Sequence, residues 1–184
     1  ILSGGNVANE GILPAAWLYN ARDSRYAEAI VAQAGLPRSA YAPIKFGFRA
    51  ELQARLLKGI RTLYPLNQFR YDKASAREQL REAIGWQSYG GKHCESTFTR
   101  FTQLIYLPRR HKADYRRGYL SADICLGAIT RDEALQQLSI PPWAELDVNH
   151  DIAFVARKLD YAIADLEARM QQPPLWYHDY PHFE

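Results

Sequence analysis

Apolar residues return every three or four positions along most of this chain, and capping residues or glycines interrupt the pattern. After Asp23, apolar side chains recur up to Ala34, and Gly35 follows. This spacing places them on one face of a helix that has Asp23 as its N-cap and Gly35 as its stop. Little else has extended character: residues 60–66 could be extended, but Pro65 weakens that segment as a central strand. The pattern predicts a mostly α fold.

The same spacing predicts seven more helices: over 48–58, from Asp72 or Ser75 to Gly85, from Glu95 to Tyr106 with Pro108 as the stop, over 115–126, from Thr130, from Asn149, and around Ile163, Leu166 and Met170. Thr130 and Glu133 form a capping box. The side chains expected to point inward are Ala76, Leu80, Ala83 and Ile84, then Phe98, Phe101 and Ile105, and then Ile152, Val155, Ala156 and Leu159. From Pro173 onward we expect an extended surface tail.

The opening residues have a different pattern, because Ile1-Leu2-Ser3 is a short apolar segment that leads into two glycines. A lone strand is not stable by itself, so this strand is expected to belong to a sheet upstream of the chain. The sequence thus divides into the end of an α/β part (1–24), a helical region (25–172) and a tail (173–184).

Composition and charge narrow the class of protein. The chain is 47% hydrophobic and 23% charged, as in soluble globular proteins. It contains no apolar run of roughly 20 residues and no leader sequence, which predicts neither a membrane span nor secretion. Two cysteines without a CxxC motif favour a reducing compartment, so we expect a cytoplasmic protein without a metal site.

A basic cluster, formed by Arg109, Arg110, His111, Lys112, Arg116 and Arg117, could meet phosphates. The net charge of +3 is nevertheless mild for a nucleic-acid-binding protein. We therefore interpret the cluster as a solvated loop between two helices.

Glycines at the start of the chain form the first candidate site. Backbone N–H groups of such a turn can bind an anion when it follows a strand, and Glu10 could then hold Mg²⁺ or orient a polar group. Glycine turns after strands are common in any case. Further on, Arg22 could pair with a carboxylate or phosphate, whereas Asp23 is better explained as a helix cap.

The densest group of polar side chains follows Gly90 and Gly91. It comprises Lys92, His93, Glu95, Ser96, Thr99 and Arg100, at the start of a helix with an aromatic face. Lys92 offers a point charge for phosphate and Arg100 a planar fork. The alternative explanation is a glycine helix stop followed by ordinary N-cap chemistry.

Taken together, these segments resemble the N-acetyl sugar amidotransferases, which make acetamidino sugars for bacterial surface polysaccharides such as the lipopolysaccharide O-antigen. The most specific stretch runs from Gly85 to Phe101. The resemblance extends to Gly4-Gly5-Asn6 with Glu10, to 19–23, to 130–135 and to 179–181. Tyr115 and Tyr119 stand where the family pattern has a lysine and a histidine.

The resemblance implies the helical half of an α/β ATP-pyrophosphatase-type fold. The other half would carry a Ser-Gly-Gly-x-Asp-Ser phosphate loop, which this sequence lacks. ATP and Mg²⁺ would need that other half, so the chain by itself is expected to be inactive. The implied phosphate or nucleotide ligands are Ser3, Gly4, Gly5 and Asn6, the substrate or magnesium ligands are Asn9, Glu10 and Arg22, and the catalytic residues are Lys92, His93, Glu95 and Arg100.

The implied partners are a nucleotide-linked N-acetyl sugar as substrate and a separate glutaminase subunit that supplies ammonia. Two alternatives remain open at the level of sequence. One is another enzyme of the same fold, either tRNA-thiolating or similar to asparagine synthetase. The other is a non-catalytic helical module that binds RNA or a protein partner through the basic cluster.

Overall fold

The computed structural model describes residues 1–7, 13–20, 23–40, 47–69, 72–88 and 94–183. The chain divides into two compact units: unit 1 comprises Ile1–Gly4, Leu13–Pro65 and Leu175–Glu184, and unit 2 comprises Gly5–Ile12 and Leu66–Pro174. As the pattern predicts, the described residues are mostly helical. None of their helices has both the length and the apolar character to cross a membrane.

Unit 1 contains two α-helices and unit 2 contains six α-helices and a π-helix, counted over the described residues. They are α1 (Ser24–Gln33), α2 (Phe48–Leu56), α3 (Lys73–Ile84), α4 (Thr97–Arg100), the π-helix π1 (Phe101–His111), α5 (Arg116–Cys125), α6 (Arg131–Ser139), α7 (Val148–Lys158) and α8 (Ile163–Gln171). Short 3₁₀ turns lie at Ala15–Trp17, Arg38–Ala40, Pro65–Gln68 and Tyr177–Asp179.

The core of unit 2 lies where π1, α7 and α8 pack together. It consists of Phe101, Ile105, Ile152, Val155, Ala156, Leu166 and Met170. Ile105 and Val155 are completely buried, so the helical spacing identified the central residues of the core correctly. Leu159, the C-cap of α7, and Ile163, the first residue of α8, are by contrast about half exposed.

The helix expected to stop before Pro108 instead continues through it as π1 and ends at His111. In an α-helix the proline ring would collide with the carbonyl four residues earlier, whereas a π-helix has a wider turn. Phe98, which precedes π1, is 50% exposed, so its predicted inward position is wrong.

Helix α3 begins and ends as predicted, with Asp72 as its N-cap and Gly85 in the left-handed conformation at its C-cap. Its apolar face, however, is not buried: Leu80 is 45% exposed and Ile84 is 73% exposed. Helical spacing identifies an apolar face, but burial also requires another element to cover it, and the described residues provide none here.

The expected opening strand is reduced to an isolated parallel bridge between Leu2 and Leu63. The Ser3 N–H donates to the Leu63 carbonyl at 2.9 Å, and the Leu63 N–H donates to the Ile1 carbonyl at 2.8 Å. Leu2 is 75% exposed, so in this structure the segment is not a buried strand. That it belongs to an upstream sheet stays a prediction.

The capping box at the start of α6 is confirmed. Thr130 accepts a hydrogen bond from the Glu133 N–H at 3.2 Å, and the Glu133 carboxylate accepts one from the Thr130 N–H at 2.7 Å. Each side chain therefore satisfies a backbone donor that the helix itself leaves unpaired.

We expect Thr130→Ala to lower the free energy of unfolding by about 1 kcal/mol, because an N-cap hydrogen bond is lost. Urea unfolding followed by circular dichroism measures this change. Thr130→Ser retains the hydroxyl and is the matched control, which is expected to recover most of the loss. Equal stability of the alanine and serine variants would show that the cap contributes nothing.

Candidate functional site

The second half of the stretch that carries the resemblance is held by a buried ion pair between Arg100 and Asp151 in unit 2. The Arg100 Nε and Nη2 atoms donate to the two carboxylate oxygens of Asp151 at 2.8 and 2.6 Å. Arg100 Nη1 also donates to the carbonyl of Cys94 at 3.3 Å. The guanidinium thus ties the backbone at residue 94 to the first turn of α7.

Both partners of this pair are sheltered from water. The Asp151 side chain is 1% exposed and the Arg100 side chain is 25% exposed. The Arg100 guanidinium, through its hydrogen bonds, lowers the pKa of Asp151 from its ordinary value, and the same carboxylate raises the pKa of Arg100. His150, next to Asp151 in α7, places Nδ1 at 3.3 Å from the same carboxylate. The pair is therefore ionised at neutral pH.

Cys94 lies directly beside this pair and is 5% exposed. Burial raises the pKa of its thiol, an effect that the nearby Arg100 opposes. A nucleophilic cysteine instead needs a lowered pKa and some exposure. The environment of Cys94 is therefore that of a structural thiol.

The structure describes six of the predicted site residues. Glu95 is exposed and precedes Ser96, the N-cap of α4, whereas Arg100 is the last residue of that helix. Ser3 and Gly4 belong to unit 1, and Gly5 and Asn6 to unit 2; Asn6 is 6% exposed. The remaining predicted residues lie outside the described part of the chain: Asn9, Glu10, Arg22, Lys92 and His93.

Unit 1 contains a cavity of about 1320 Å³, which we call the unit 1 cavity. Its walls come from three places: the segment before α1 together with the first residues of that helix, the first two turns of α2, and the tail. Its lining includes Tyr19, Asn20, Phe48, Arg49, Glu51, Arg55 and Phe183. Asn20 and Asp23 both line it, and they flank the candidate Arg22 in the sequence.

One wall of the unit 1 cavity is fixed by Asp23, which is 3% exposed. One carboxylate oxygen accepts from the N–H groups of Arg25 and Tyr26, as an N-cap does. The other accepts from the Tyr177 hydroxyl and from the Phe183 N–H. Burial alone would raise the pKa of Asp23, but these hydrogen bonds together hold it below its ordinary value.

The tail, which the sequence predicts to be an extended surface segment, contacts α1 through one buried side chain, while most of its other described residues are exposed or half-buried. Tyr177 is 5% exposed, and its ring meets that of Tyr26 at 4.9 Å in an edge-to-face arrangement. The tail forms a 3₁₀ turn at Tyr177–Asp179. The buried acceptor of the Tyr177 hydroxyl, Asp23, is 154 positions away, so the local sequence of the tail does not reveal this contact.

The basic cluster is also not a solvated loop, because Arg109, Arg110 and His111 form the last turn of π1. Arg110 packs over the Tyr106 ring, and Arg109 lies 5.0 Å from the centre of the Trp143 ring. In α5, Arg116 pairs with Asp114 at 2.7 Å and also donates to the carbonyls of Gln137 and Ile140. Much of this positive charge is thus used within unit 2.

Among the described residues, no group of three or more histidines, cysteines or carboxylates is arranged to hold a metal ion. In the part of the chain that the structure describes, sequence reasoning missed two features, Asp151 and Arg49. Asp151 is 51 positions from Arg100, so no local motif links them. Arg49 lies in α2, where polar and apolar residues show no clear helical pattern. Its position in the wall of the unit 1 cavity is visible only in the structure.

Comparison with protein families gives one match. Residues 95–184 match the family model described as "LPS biosynthesis protein WbpG-like, C-terminal domain". This region is slightly less than half of the chain, and it contains the Arg100–Asp151 pair, α4 to α8 and the tail. No curated protein and no solved structure matches the chain. From Glu95 onward the chain is therefore similar to the C-terminal domain of WbpG-like proteins, which supports a role in lipopolysaccharide biosynthesis.

Proposed function

We propose that this chain is part of an ATP-dependent amidotransferase that converts the acetamido group of a nucleotide-linked sugar into an acetamidino group. The observation that carries the proposal is the overlap of a family match with a resemblance found in the same part of the sequence. The match to WbpG-like lipopolysaccharide biosynthesis proteins begins at Glu95. This position lies inside the stretch from Gly85 to Phe101 that most resembles the N-acetyl sugar amidotransferases.

An amide oxygen is a poor leaving group, and this explains the need for ATP. The acetamido oxygen is activated as an adenylate with release of pyrophosphate, and ammonia then displaces AMP to leave the amidine. Charge that develops on the phosphates is best met by donors that are already in place. Lys92 and His93 directly precede Cys94, whose carbonyl Arg100 holds, so the Arg100–Asp151 pair would anchor one end of the segment that carries them.

The direct test combines the full-length enzyme, a glutaminase partner and a nucleotide-linked N-acetyl sugar with ATP and Mg²⁺. We expect a product whose mass reflects the replacement of one oxygen by an NH group, with one AMP formed per product. Omission of ATP or of the nitrogen donor must abolish the product. Release of ADP and phosphate in place of AMP and pyrophosphate would contradict the adenylate route.

We expect Cys94→Ala in the full-length enzyme to retain most of the activity with either ammonia or glutamine, because the thiol is buried and its pKa is raised. Glutamine should support turnover only when the separate glutaminase subunit is present. The measurement compares the two nitrogen donors with and without that subunit. Loss of glutamine use with retention of ammonia use would place the glutaminase in this chain.

A further inference from the structure

The unit 1 cavity combines charged side chains with exposed aromatic rings. Among the described residues, four charged side chains line it: Asp23, Arg49, Glu51 and Arg55. The Asp23 carboxylate already accepts four hydrogen bonds. One helical turn apart, Glu51 Oε1 lies 3.8 Å from Arg55 Nη1. Among the described residues, Arg49 has neither an ion-pair nor a hydrogen-bond partner. Arg49 therefore presents an uncommitted guanidinium to the cavity.

Exposed aromatic rings also line the unit 1 cavity. Tyr19, Phe48 and Phe183 line the cavity and are 63%, 69% and 66% exposed. Large aromatic side chains are seldom left so exposed in one place unless they meet a ligand or a partner. An aromatic ring provides a stacking surface for any nucleobase, and a guanidinium binds phosphate with two parallel hydrogen bonds.

The unit 1 cavity is also large. Pockets for small molecules usually enclose roughly 300–1000 Å³. A volume of about 1320 Å³ exceeds what a base or a phosphate alone would need. It suits a ligand that joins an aromatic base, a diphosphate and a further group.

From these three features we propose that the unit 1 cavity binds a nucleoside diphosphate group, with Phe48 and Tyr19 against the base and Arg49 on the diphosphate. That this group belongs to the sugar substrate, and not to ATP, rests on the proposed function. The cavity then determines which nucleotide-linked sugar is accepted, although the reacting acetamido group lies at the other end of that molecule.

The test measures binding of UDP and, separately, ADP to the full-length enzyme by calorimetry, without turnover. We expect UDP to bind and Arg49→Ala to weaken it about 10- to 100-fold, as for loss of a charged hydrogen bond. Phe48→Ala should weaken it about tenfold through loss of stacking. Arg61→Ala, which removes an exposed arginine of unit 1 outside the cavity, is the matched control and should leave affinity unchanged.

Unchanged UDP affinity in both Arg49→Ala and Phe48→Ala would overturn the assignment. Loss of ADP affinity with UDP affinity unchanged would overturn it as well, because the cavity would then serve ATP. Thermal unfolding confirms that each variant is folded. A different result would contradict the proposed function alone. In that case UDP affinity would still fall in the cavity variants, but the wild-type enzyme would make no acetamidino product.

In the turnover assay, the same two cavity variants should raise KM for the nucleotide-linked sugar and change kcat much less. This split is expected because the nucleotide lies far from the reacting atoms and is bound equally in the ground and transition states. A fall in kcat at unchanged KM would contradict the binding role.

Discussion

Asp151→Ala is expected to lower the free energy of unfolding by about 3 kcal/mol, because it leaves the Arg100 guanidinium without its carboxylate. Removal of one partner of a buried ion pair costs about 3–5 kcal/mol, and the lower figure applies since the Arg100 side chain is 25% exposed. The consequences should extend beyond α7, since Arg100 also holds the carbonyl of Cys94. Urea unfolding of the wild type and the variant measures the loss.

Two controls separate the ion pair from general effects of the substitution. Glu28→Ala removes the partner of Arg38 in an exposed pair and should cost less than about 1 kcal/mol. In an Arg100→Ala background, Asp151→Ala should cost much less than in the wild type, because no cation is left unpaired. Equal costs in both backgrounds would show that the two residues are not coupled.

The pH dependence of stability follows from the same pair. The folded pKa of Asp151 is lowered below its ordinary value of 3.8, chiefly by Arg100. Its contribution is therefore fully present above that value and is lost as the pH falls through the lower, folded pKa. The difference in stability between wild type and Asp151→Asn should accordingly shrink in strong acid.

The largest effects on activity are expected for Lys92→Ala and Glu95→Gln, each of which should reduce turnover of the full-length enzyme by about 10²–10³. Both residues belong to the stretch that most resembles the amidotransferases. Glu95 is exposed and lies before the N-cap of α4, so its loss should have little effect on stability. Assays with ammonia as the nitrogen donor remove any dependence on the glutaminase subunit.

Matched controls for these two variants remove the same charges elsewhere. Glu82→Gln on α3 and Lys58→Ala after α2 both change exposed residues and should retain wild-type turnover. Near-normal turnover in both Lys92→Ala and Glu95→Gln would show that the assigned site is wrong. Equal losses in the control variants would point to a nonspecific effect of charge.

The sequence by itself determined several helix ends, because capping signals are local, although it did not determine the end that Pro108 was expected to set. Asp23, Asp72 and Thr130 cap helices as predicted, and Gly85 ends α3 in the left-handed conformation. A capping side chain acts within three residues of its position, so its effect can be read from adjacent letters. Helical spacing likewise identified Ile105 and Val155 as core residues, because the faces that carry them are covered where π1, α7 and α8 pack together.

The tertiary structure alone decided which faces are covered and which distant polar groups meet. Leu80 and Ile84 follow the same helical spacing as the core residues, yet both are exposed in the described structure, because spacing carries no information on what packs against a face. The Arg100–Asp151 pair and the hydrogen bond from Tyr177 to Asp23 join residues 51 and 154 positions apart. Such contacts depend on how helices pack and on which buried carboxylate needs a donor, and neither is encoded in a local pattern. For the same reason, helical spacing in α2 could not reveal that Arg49 lines a cavity.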